Sequence, residues 1–460
     1  MLRVPSLPRP DFGDRRTQLA LGAMLVTAVC AGLAIAVGSG DLRLAFLFAG
    51  VIALPPALLF ALNRPYIVPY GLYAALVPFD DLLRFGPGGT LTKMLGVLAT
   101  LFVLIYAVRS RRLTRPPLAV WLWLGYMLWT MASLMWTADQ TEGMIVGQTM
   151  AALIVMFAAF AVAPIDEAQL RTVCGCVVAG GVAASAYGLW VMQHVPALIG
   201  NDGAVRRVAI SANGMTIDPN HFANALLFPL ALSLVALVHA RSPRAVFVYA
   251  IASVLLIAGI AVSLSREAVI ASVLIALVLL WFSRRRVLGV ALGLPIVAAI
   301  LAAVPAIGTR MSEAFATGGA GRMSIWQVGI AAWKAHPIIG WGEGGSFDAY
   351  DRYYLRVYQA YNAGWSRPPH NSALTALVDL GVIGLLLLVA AVVATVLPLR
   401  RIARGDSLYD LRVAVTAALV GILFSSFFID LTNYKYLWLV LVAAAQLASV
   451  ARDREPRPYR

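Results

Sequence analysis

Long apolar runs, separated by short polar or charged stretches, make up most of this 460-residue chain. Runs of roughly 17–25 residues are long enough to cross the hydrocarbon core of a bilayer as α-helices. The pattern gives fourteen candidate spans, at residues 17–38, 42–62, 65–80, 90–108, 116–136, 142–163, 168–194, 219–240, 244–263, 267–283, 286–304, 371–397, 411–429 and 433–450. The third is short for a span. The sequence therefore predicts an all-α, polytopic helical membrane protein with about 12–14 transmembrane helices.

Composition supports a membrane protein and argues against nucleic-acid binding. Hydrophobic residues make up 61% of the chain and charged residues 13%, against roughly 45–50% and about 25% in soluble domains. The net charge of +14 comes from basic residues clustered between apolar runs, as in 109–115 and 283–286. Such clusters are typical of membrane orientation signals. The three cysteines all lie in apolar runs, so they predict neither a disulfide framework nor a metal site.

The distribution of basic residues predicts the orientation of the chain. With a cytoplasmic N-terminus, 23 of the 36 Lys and Arg residues fall in inner loops, and six of the other 13 lie in one long loop. This is the bias that cytoplasmic loops show in membrane proteins. We expect N-terminal transmembrane helices over residues 1–304 and a large extracytoplasmic loop over 305–370. Residues 371–460 would then form C-terminal helices and a cytoplasmic tail.

The long loop carries two sets of aromatic and apolar residues at helical spacing. The first set is Arg322, Trp326, Ile330 and Trp333, and the second is Phe347, Tyr350, Tyr354, Val357 and Tyr361. Amphipathic helices with such rings suit the membrane interface. A small cap that never touches lipid is the alternative. Between the two sets, the glycines at 340–345 predict a turn.

Two outer segments carry arginines that could bind an anion. Arg266 lies at the turn between two apolar runs, where a guanidinium could bind an anionic lipid headgroup through two hydrogen bonds. The alternative is an ion pair with its neighbour Glu267 or with a neighbouring span. Arg206 and Arg207 follow the seventh candidate span. Because adjacent side chains rarely face one pocket, we expect at most one of them to be a ligand.

His370 lies at the outer end of a new span and is the candidate general base. Pro368 and Pro369 stiffen its approach, and Asn371 or Ser372 can cap the helix that follows. An imidazole with a near-neutral pKa is the usual group for deprotonating a hydroxyl. A lone histidine is more often structural, but the outward-facing arginines nearby favour a catalytic role.

Other motifs predict no cofactor. Asp218, Asn220 and His221 resemble a metal cluster, although Asp-Pro-Asn is better explained as a helix N-cap with Pro219 at the helix start. The sequence contains no Walker loop, zinc-binding HExxH or Rossmann fingerprint. We therefore expect neither a nucleotide nor a metal to take part.

Two runs resemble the O-antigen ligase family, which also contains O-antigen polymerases. They are GRMSIWQVGIAAWKAHPIIGWGEGGSF, from Gly321, and HNSALTALVDLGVIGL, from His370, and the resemblance extends roughly from Arg206 to Leu385. It implies a multi-pass protein of the bacterial inner membrane with a periplasmic active site. Such an enzyme transfers a glycan from undecaprenyl diphosphate to an acceptor hydroxyl, without a nucleotide or a required metal. Ligases use lipid A-core as the acceptor, whereas polymerases use another lipid-linked repeat unit.

The resemblance also assigns roles to residues. His370 matches the essential histidine of the family, and Arg266, Arg322 and one of Arg206 and Arg207 match its arginines, which would bind the diphosphate. Direct displacement at the anomeric carbon would invert its configuration. The sequence favours a ligase over a polymerase for O-antigen or exopolysaccharide. A glycan flippase or transporter is the remaining alternative, although the expected repeated halves are missing.

Overall fold

The computed structural model describes residues 63–84, 89–194, 199–202, 205–208, 218–282, 322–356 and 369–454. Its helices in chain order are α1 (Pro69–Leu76), α2 (Leu91–Ser110), α3 (Leu118–Ser133), α4 (Gln140–Val162), α5 (Glu167–His194), α6 (Pro219–Ala225), α7 (Leu227–His239), α8 (Pro243–Ser263), α9 (Arg266–Phe282), α10 (Arg322–Trp333), α11 (Ser346–Tyr353), α12 (Ser372–Val396), α13 (Tyr409–Ser425) and α14 (Lys435–Arg454). Short 3-10 helices cover Val77–Phe79, Tyr354–Arg356 and Leu397–Arg401. Two strands, β1 (Ile199–Asp202) and β2 (Val205–Val208), complete the described elements.

Seven helical segments in the described part of the chain are long and apolar enough to cross a membrane. They are Leu91–Ser110, Gln140–Val162, Glu167–His194, Pro219–His239, Pro243–Ser263, Ser372–Arg401 and Lys435–Arg454. The all-α, polytopic membrane class is thereby confirmed. The predicted spans 17–38, 42–62 and 286–304 lie outside the described residues, as do 305–321 and 357–368 of the predicted long loop, which include Val357 and Tyr361.

Two candidate spans differ from the prediction, one because its residues are buried in the core and the other because of a proline. Span 65–80 forms only α1 and a 3-10 turn, because its apolar character comes from core packing: Tyr66, Tyr70 and Tyr73 are at most 1% exposed. Span 219–240 is divided into α6 and α7 at Leu226. Pro229 cannot donate a backbone hydrogen bond to the preceding turn, which accounts for the division.

A two-stranded antiparallel ribbon follows α5 and was not predicted. β1 and β2 pair with Gly200 opposite Arg207 and Asn201 opposite Arg206. The two residues that separate the strands in the sequence begin with glycine, which is common in two-residue hairpin connections. The ribbon is too small to change the fold class.

Contacts between helix termini define two ends of the helical bundle. At one end, which we call the His370 end, the Ser372 backbone N–H donates to the Ser426 carbonyl over 2.8 Å. At the other, the Arg171 end, Arg171 pairs with Asp410 at 2.7 Å, and Arg454 pairs with Glu167. The cavity and the arginines described below all lie at the His370 end.

Helix α12 is interrupted at Gly381, where the backbone leaves the helical conformation at φ 66° and ψ −168°. The segment 337–342 of the long loop fills the interruption. Backbone N–H groups of Trp341 and Gly342 donate to the carbonyls of residues 378 and 379 over 2.9 and 2.8 Å, while those of Val382 and Ile383 donate to the carbonyls of residues 337 and 338. The Trp129 indole N–H donates a hydrogen bond to the carbonyl of residue 380 over 3.0 Å.

This pairing brings part of the predicted outer loop into the helical bundle. Gly381 lies nine residues after Ser372, or about 14 Å along the helix axis, which is close to half of a hydrocarbon core about 30 Å thick. Irregular backbone is tolerated at such a depth only where protein or a cavity surrounds it. The segment 337–342 and Trp129 pack around the break in α12. They also form hydrogen bonds with the backbone groups that the break leaves without helical partners.

Candidate active site

A cavity of about 940 Å³ lies at the His370 end, between α2, α4, α6, α12 and the turns beside them. Its wall includes both His370 and His221. The other ionisable Asp, Glu, Lys and Arg residues on the wall are Asp80, Asp81, Arg84, Lys93, Glu142, Asp218, Glu343, Asp379, Asp430 and Lys435. Seven carboxyl groups therefore face three cationic side chains.

The backbone around His370 holds its imidazole on a fixed helix end. His370 has φ 50°, in the left-handed region that few residues other than glycine adopt. Asn371 caps α12 as expected, because its Oδ1 accepts from the backbone N–H groups of Ala373 and Leu374, both over 3.0 Å. The Ser372 hydroxyl accepts from the Leu431 backbone N–H over 2.9 Å. A residue in this uncommon conformation, fixed on both sides of the cap, is a typical functional position.

Two buried carboxyl groups form the wall beside the α12 break. Glu343 is 6% exposed and Asp379 is 3% exposed. The Glu343 backbone N–H donates to Ser133 Oγ over 2.9 Å, and Ser346 donates to Asp379 from both its backbone and its side chain. Burial, with a further contribution from Asp430, raises the pKa of Glu343 to about 8. At neutral pH this carboxyl group is therefore mostly protonated, and it can donate as well as accept a hydrogen bond.

The opposite wall is held together by ion pairs that connect distant parts of the chain. Lys435 Nζ lies 2.6 Å from both carboxylate oxygens of Asp80 and 3.0 Å from Thr90 Oγ1. Arg84 pairs with Asp81 at 2.9 Å, and burial raises the pKa of Asp81. These contacts fix the start of α2 against the start of α14.

The cavity is amphipathic, because one part of it is lined by apolar side chains of α2 and α4. Val97 and Leu101 on α2, and Ile145 and Val155 on α4, line it and are each 48–59% exposed. The polar part, with its histidines and carboxyl groups, lies at the helix ends. Such an arrangement suits a substrate with a polar head and a hydrocarbon chain.

The predicted arginines meet at a neighbouring turn, residues 263–267, and none of the three whose side chains are described lines the cavity. Arg207 is 5% exposed, and its guanidinium donates to the Ser263 carbonyl at 3.1 Å and to Asn220 Oδ1 at 2.6 Å. Arg266 is the first residue of α9. The Arg206 side chain lies outside the described part of the structure, although its backbone pairs with Asn201.

Arg322 reaches the same turn from the long loop. Its Nη2 lies 3.7 Å from Glu267 Oε1, and its Cζ lies 5.6 Å from the centroid of the Phe428 ring. Glu267, the alternative partner considered for Arg266, thus pairs with Arg322. The turn thus gathers arginines from the ribbon, from α9 and from the long loop.

Helix α6 connects the arginine turn to the cavity. Asp218 caps this helix, accepting from the Asn220 backbone N–H at 2.9 Å, so the capping interpretation is correct. Asn220 contacts Arg207, while the next residue, His221, lines the cavity and stacks on Tyr434 with ring centroids 3.7 Å apart. Among the described residues, no group of three or more His, Cys, Asp or Glu side chains is arranged to hold a metal ion.

Sequence reasoning missed the carboxyl groups on the cavity wall, although one of them carried a readable signal. Asp379 interrupts the apolar run of α12, and an ionisable residue inside a span is a functional candidate by default. Glu343 belongs to a Gly-rich turn and gave no such signal. Asp80 and Lys435 are 355 positions apart, so only the fold shows their pairing.

The fold and cavity define a class: a helical membrane protein with an amphipathic cavity that combines buried carboxyl groups with two histidines. A comparison with protein families makes the class specific. Residues 251–389 match the family model described as O-antigen ligase, the family that the sequence resembles. The comparison with curated proteins gave no match. The matched segment contains Arg266, Arg322 and His370 but neither Arg206 nor Arg207. It supports a membrane glycosyltransferase of the O-antigen ligase or polymerase type, which acts on lipid-linked glycans.

Proposed function

We propose that the protein transfers a glycan from undecaprenyl diphosphate to a hydroxyl of lipid A-core. The reaction takes place at the periplasmic face of the bacterial inner membrane, inverts the anomeric carbon and needs no nucleotide or metal. The observation that carries the proposal is the position of His370, a conformationally fixed imidazole on the wall of an amphipathic cavity.

The chemistry of the donor fits the two parts of the cavity. A lipid-linked glycan joins a hydrocarbon chain to a sugar through a diphosphate, so its reacting carbon lies directly beside the membrane surface. The apolar side chains of α2 and α4 suit the chain, while the histidines and carboxyl groups at the helix ends suit the sugar. A substrate of this kind places its anomeric carbon at the depth where His370 lies.

The arginine turn supports a diphosphate site beside the cavity. A guanidinium group can donate two parallel hydrogen bonds to one phosphate, and it remains charged at any physiological pH. Arg207, Arg266 and Arg322 converge on residues 263–267, which lie next to the cavity through Asn220 and His221. Arg207 also holds the turn in place through two protein partners, so we assign it both a structural and a binding role. Arg206 remains the alternative ligand on β2.

Each step of the proposed reaction has a group to perform it. The acceptor hydroxyl oxygen attacks the anomeric carbon while His370 takes the hydroxyl proton. The bond between that carbon and the phosphate oxygen breaks, and its electron pair leaves with the diphosphate. The arginines stabilise the charge that develops on the leaving group, which is the usual role of preorganised cations in group transfer.

The orientation follows from basic residues at the Arg171 end. The loops there contain the clusters around residues 109–115, 241–244, 400–412 and 452–454, whereas the short loops at the His370 end contain few. Positively charged loops favour the cytoplasmic side. The His370 end would then face the periplasm.

A transfer assay with purified protein tests the proposal. We expect the protein, supplied with undecaprenyl-diphosphate glycan, to modify lipid A-core and to release undecaprenyl diphosphate. Chain extension on a second donor molecule, without modification of lipid A-core, would instead assign it as a polymerase. If the protein transfers glycan to neither acceptor, the proposal is contradicted.

Variants of two arginines sharpen the test. Arg266→Ala should abolish transfer, whereas Arg244→Ala, at the opposite end of α8, should leave it unchanged. Nuclear magnetic resonance of the product should show an anomeric configuration opposite to that of the donor. Retention of configuration would contradict direct displacement.

A further inference from the structure

The polar part of the cavity has a charge that restricts which sugars can enter it. We call this part the carboxylate chamber; it is formed by Asp218, Glu343, Asp379 and Asp430 together with the histidines 221 and 370. We infer that the chamber takes a neutral or amino-bearing sugar at the reacting position and excludes acidic sugars such as uronic acids. This inference rests on the proposed glycan transfer and adds the substrate class.

The first observation is the excess of carboxyl groups over cations. Across the whole cavity wall, seven carboxyl groups face three Lys and Arg side chains. Two of those cations are already paired, Lys435 with Asp80 and Arg84 with Asp81. Because Glu343 is mostly protonated at neutral pH, the carboxylates that a uronate beside His370 would meet are those of Asp218 and Asp430, and their like charge would repel it.

The second, independent observation is a set of buried polar atoms on the same wall. Asp379 Oδ1, Tyr73 Oη, Thr375 Oγ1 and Asn433 Oδ1 have no hydrogen-bond partner among the described residues. Asp379 and Tyr73 are 3% and 1% exposed. Buried polar groups normally have partners, because leaving one unpaired is costly. Carboxylate, hydroxyl and amide oxygens are together suited to the hydroxyl groups of a sugar, which both donate and accept.

The arginine turn places the positive side chains of the proposed donor site apart from the carboxyl groups of the chamber. The diphosphate of a donor carries the negative charge, and the arginines lie outside the cavity wall, around residues 263–267. The sugar attached to that diphosphate would enter the chamber, whose ionisable groups are carboxyl groups and histidines. The anionic diphosphate of a donor would thus face arginines, and its neutral sugar would face carboxyl groups.

Competition between two donors that differ in one group tests the inference. The purified full-length protein would receive undecaprenyl-diphosphate glycans whose first sugar is either a neutral hexose or the matching uronic acid. We expect kcat/KM for the neutral donor to be at least tenfold higher. The Asp430→Asn variant, which removes a carboxylate of the chamber with little change of shape, should reduce this ratio about tenfold.

A matched control lies on the same loop. Asp348 pairs with Arg352 on α11 and does not line the cavity, so Asp348→Asn should leave the ratio unchanged. Equal turnover of both donors by the wild type would overturn the inference. So would an unchanged ratio in Asp430→Asn, provided that its melting temperature equals that of the control.

Equilibrium binding separates this inference from the proposed reaction. Titration calorimetry with a neutral glucose trisaccharide and with a galacturonic acid trisaccharide needs no turnover. Preferential binding of the neutral probe, lost in Asp430→Asn, would support the chamber even if no donor were turned over, in which case the proposed function fails alone. Equal binding of the two probes would overturn the chamber inference, whatever the transfer assay shows.

Discussion

Replacing Gly381 by alanine should strongly destabilise the association of the long loop with α12. Its φ of 66° with ψ −168° belongs to a region that is accessible almost only to glycine. A Cβ there would lie 2.1 Å from the Ile338 carbonyl oxygen and 2.3 Å from its carbon. Since these are backbone atoms, the segment 337–342 would have to move as a whole.

The size of the effect follows from what that movement breaks. Backbone strain of this kind costs about 1–3 kcal/mol. The N–H groups of Trp341, Gly342, Val382 and Ile383 make the four backbone hydrogen bonds that join the segment to α12, and each contributes about 0.5–1.5 kcal/mol. If two of these hydrogen bonds are lost, the strain and the lost bonds together destabilise the association by about 2–6 kcal/mol. We therefore expect a loss of about 4 kcal/mol.

Two other glycines supply the controls. Gly405 has φ 102° with nothing within 4 Å of an added Cβ, so Gly405→Ala tests backbone strain alone. Gly175 lies within α5 with open space around it, and Gly175→Ala should be neutral. Denaturant unfolding in detergent would give the free energies. Limited trypsin digestion, at Lys334 or Arg352 beside the segment, would report its release. The reasoning is refuted if Gly381→Ala unfolds like Gly175→Ala and is digested no faster.

Three further changes test other parts of the structure. Asn371→Ala should destabilise the protein by about 1 kcal/mol, because the α12 cap is lost, and Asn371→Asp should recover most of it in the same unfolding assay. The raised pKa of Glu343, about 8 against an ordinary 4.5, means that the fold favours its protonated form. Stability should therefore fall as pH rises from about 4.5 to 8, and melting curves should show a weaker decline for Glu343→Gln. Asp80→Asn should cost about 3 kcal/mol by leaving Lys435 partly buried without its partner, and the double variant Asp80→Asn/Lys435→Met should recover part of that cost.

The sequence predicted the helices well because bilayer thickness imposes a length on each apolar run. Candidate spans 90–108 and 142–163 correspond to α2 and α4 within a few residues. It also predicted the cap of α12, since Asn371 bonds to backbone only two and three residues away. Patterns that depend on neighbours along the chain are readable without a structure.

Features that depend on distant residues could not be predicted. The break at Gly381 is stabilised by a segment about 40 residues earlier and by Trp129. The pairing of Arg322 with Glu267 depends on how the long loop returns to α9. The carboxylate chamber likewise forms only when four separate segments meet.

The role of His370 is the central claim, and one rate comparison tests it most directly. In proteoliposomes, single-turnover transfer from an undecaprenyl-diphosphate glycan would be measured for the wild type, for His370→Ala and for His239→Ala. His239 lies at the far end of α7 and bonds to its own helix at the Val235 carbonyl. We predict wild-type rates for His239→Ala and at least a hundredfold loss for His370→Ala, in line with the usual contribution of a general base. Transfer by a correctly inserted His370→Ala protein at the wild-type rate would contradict the account.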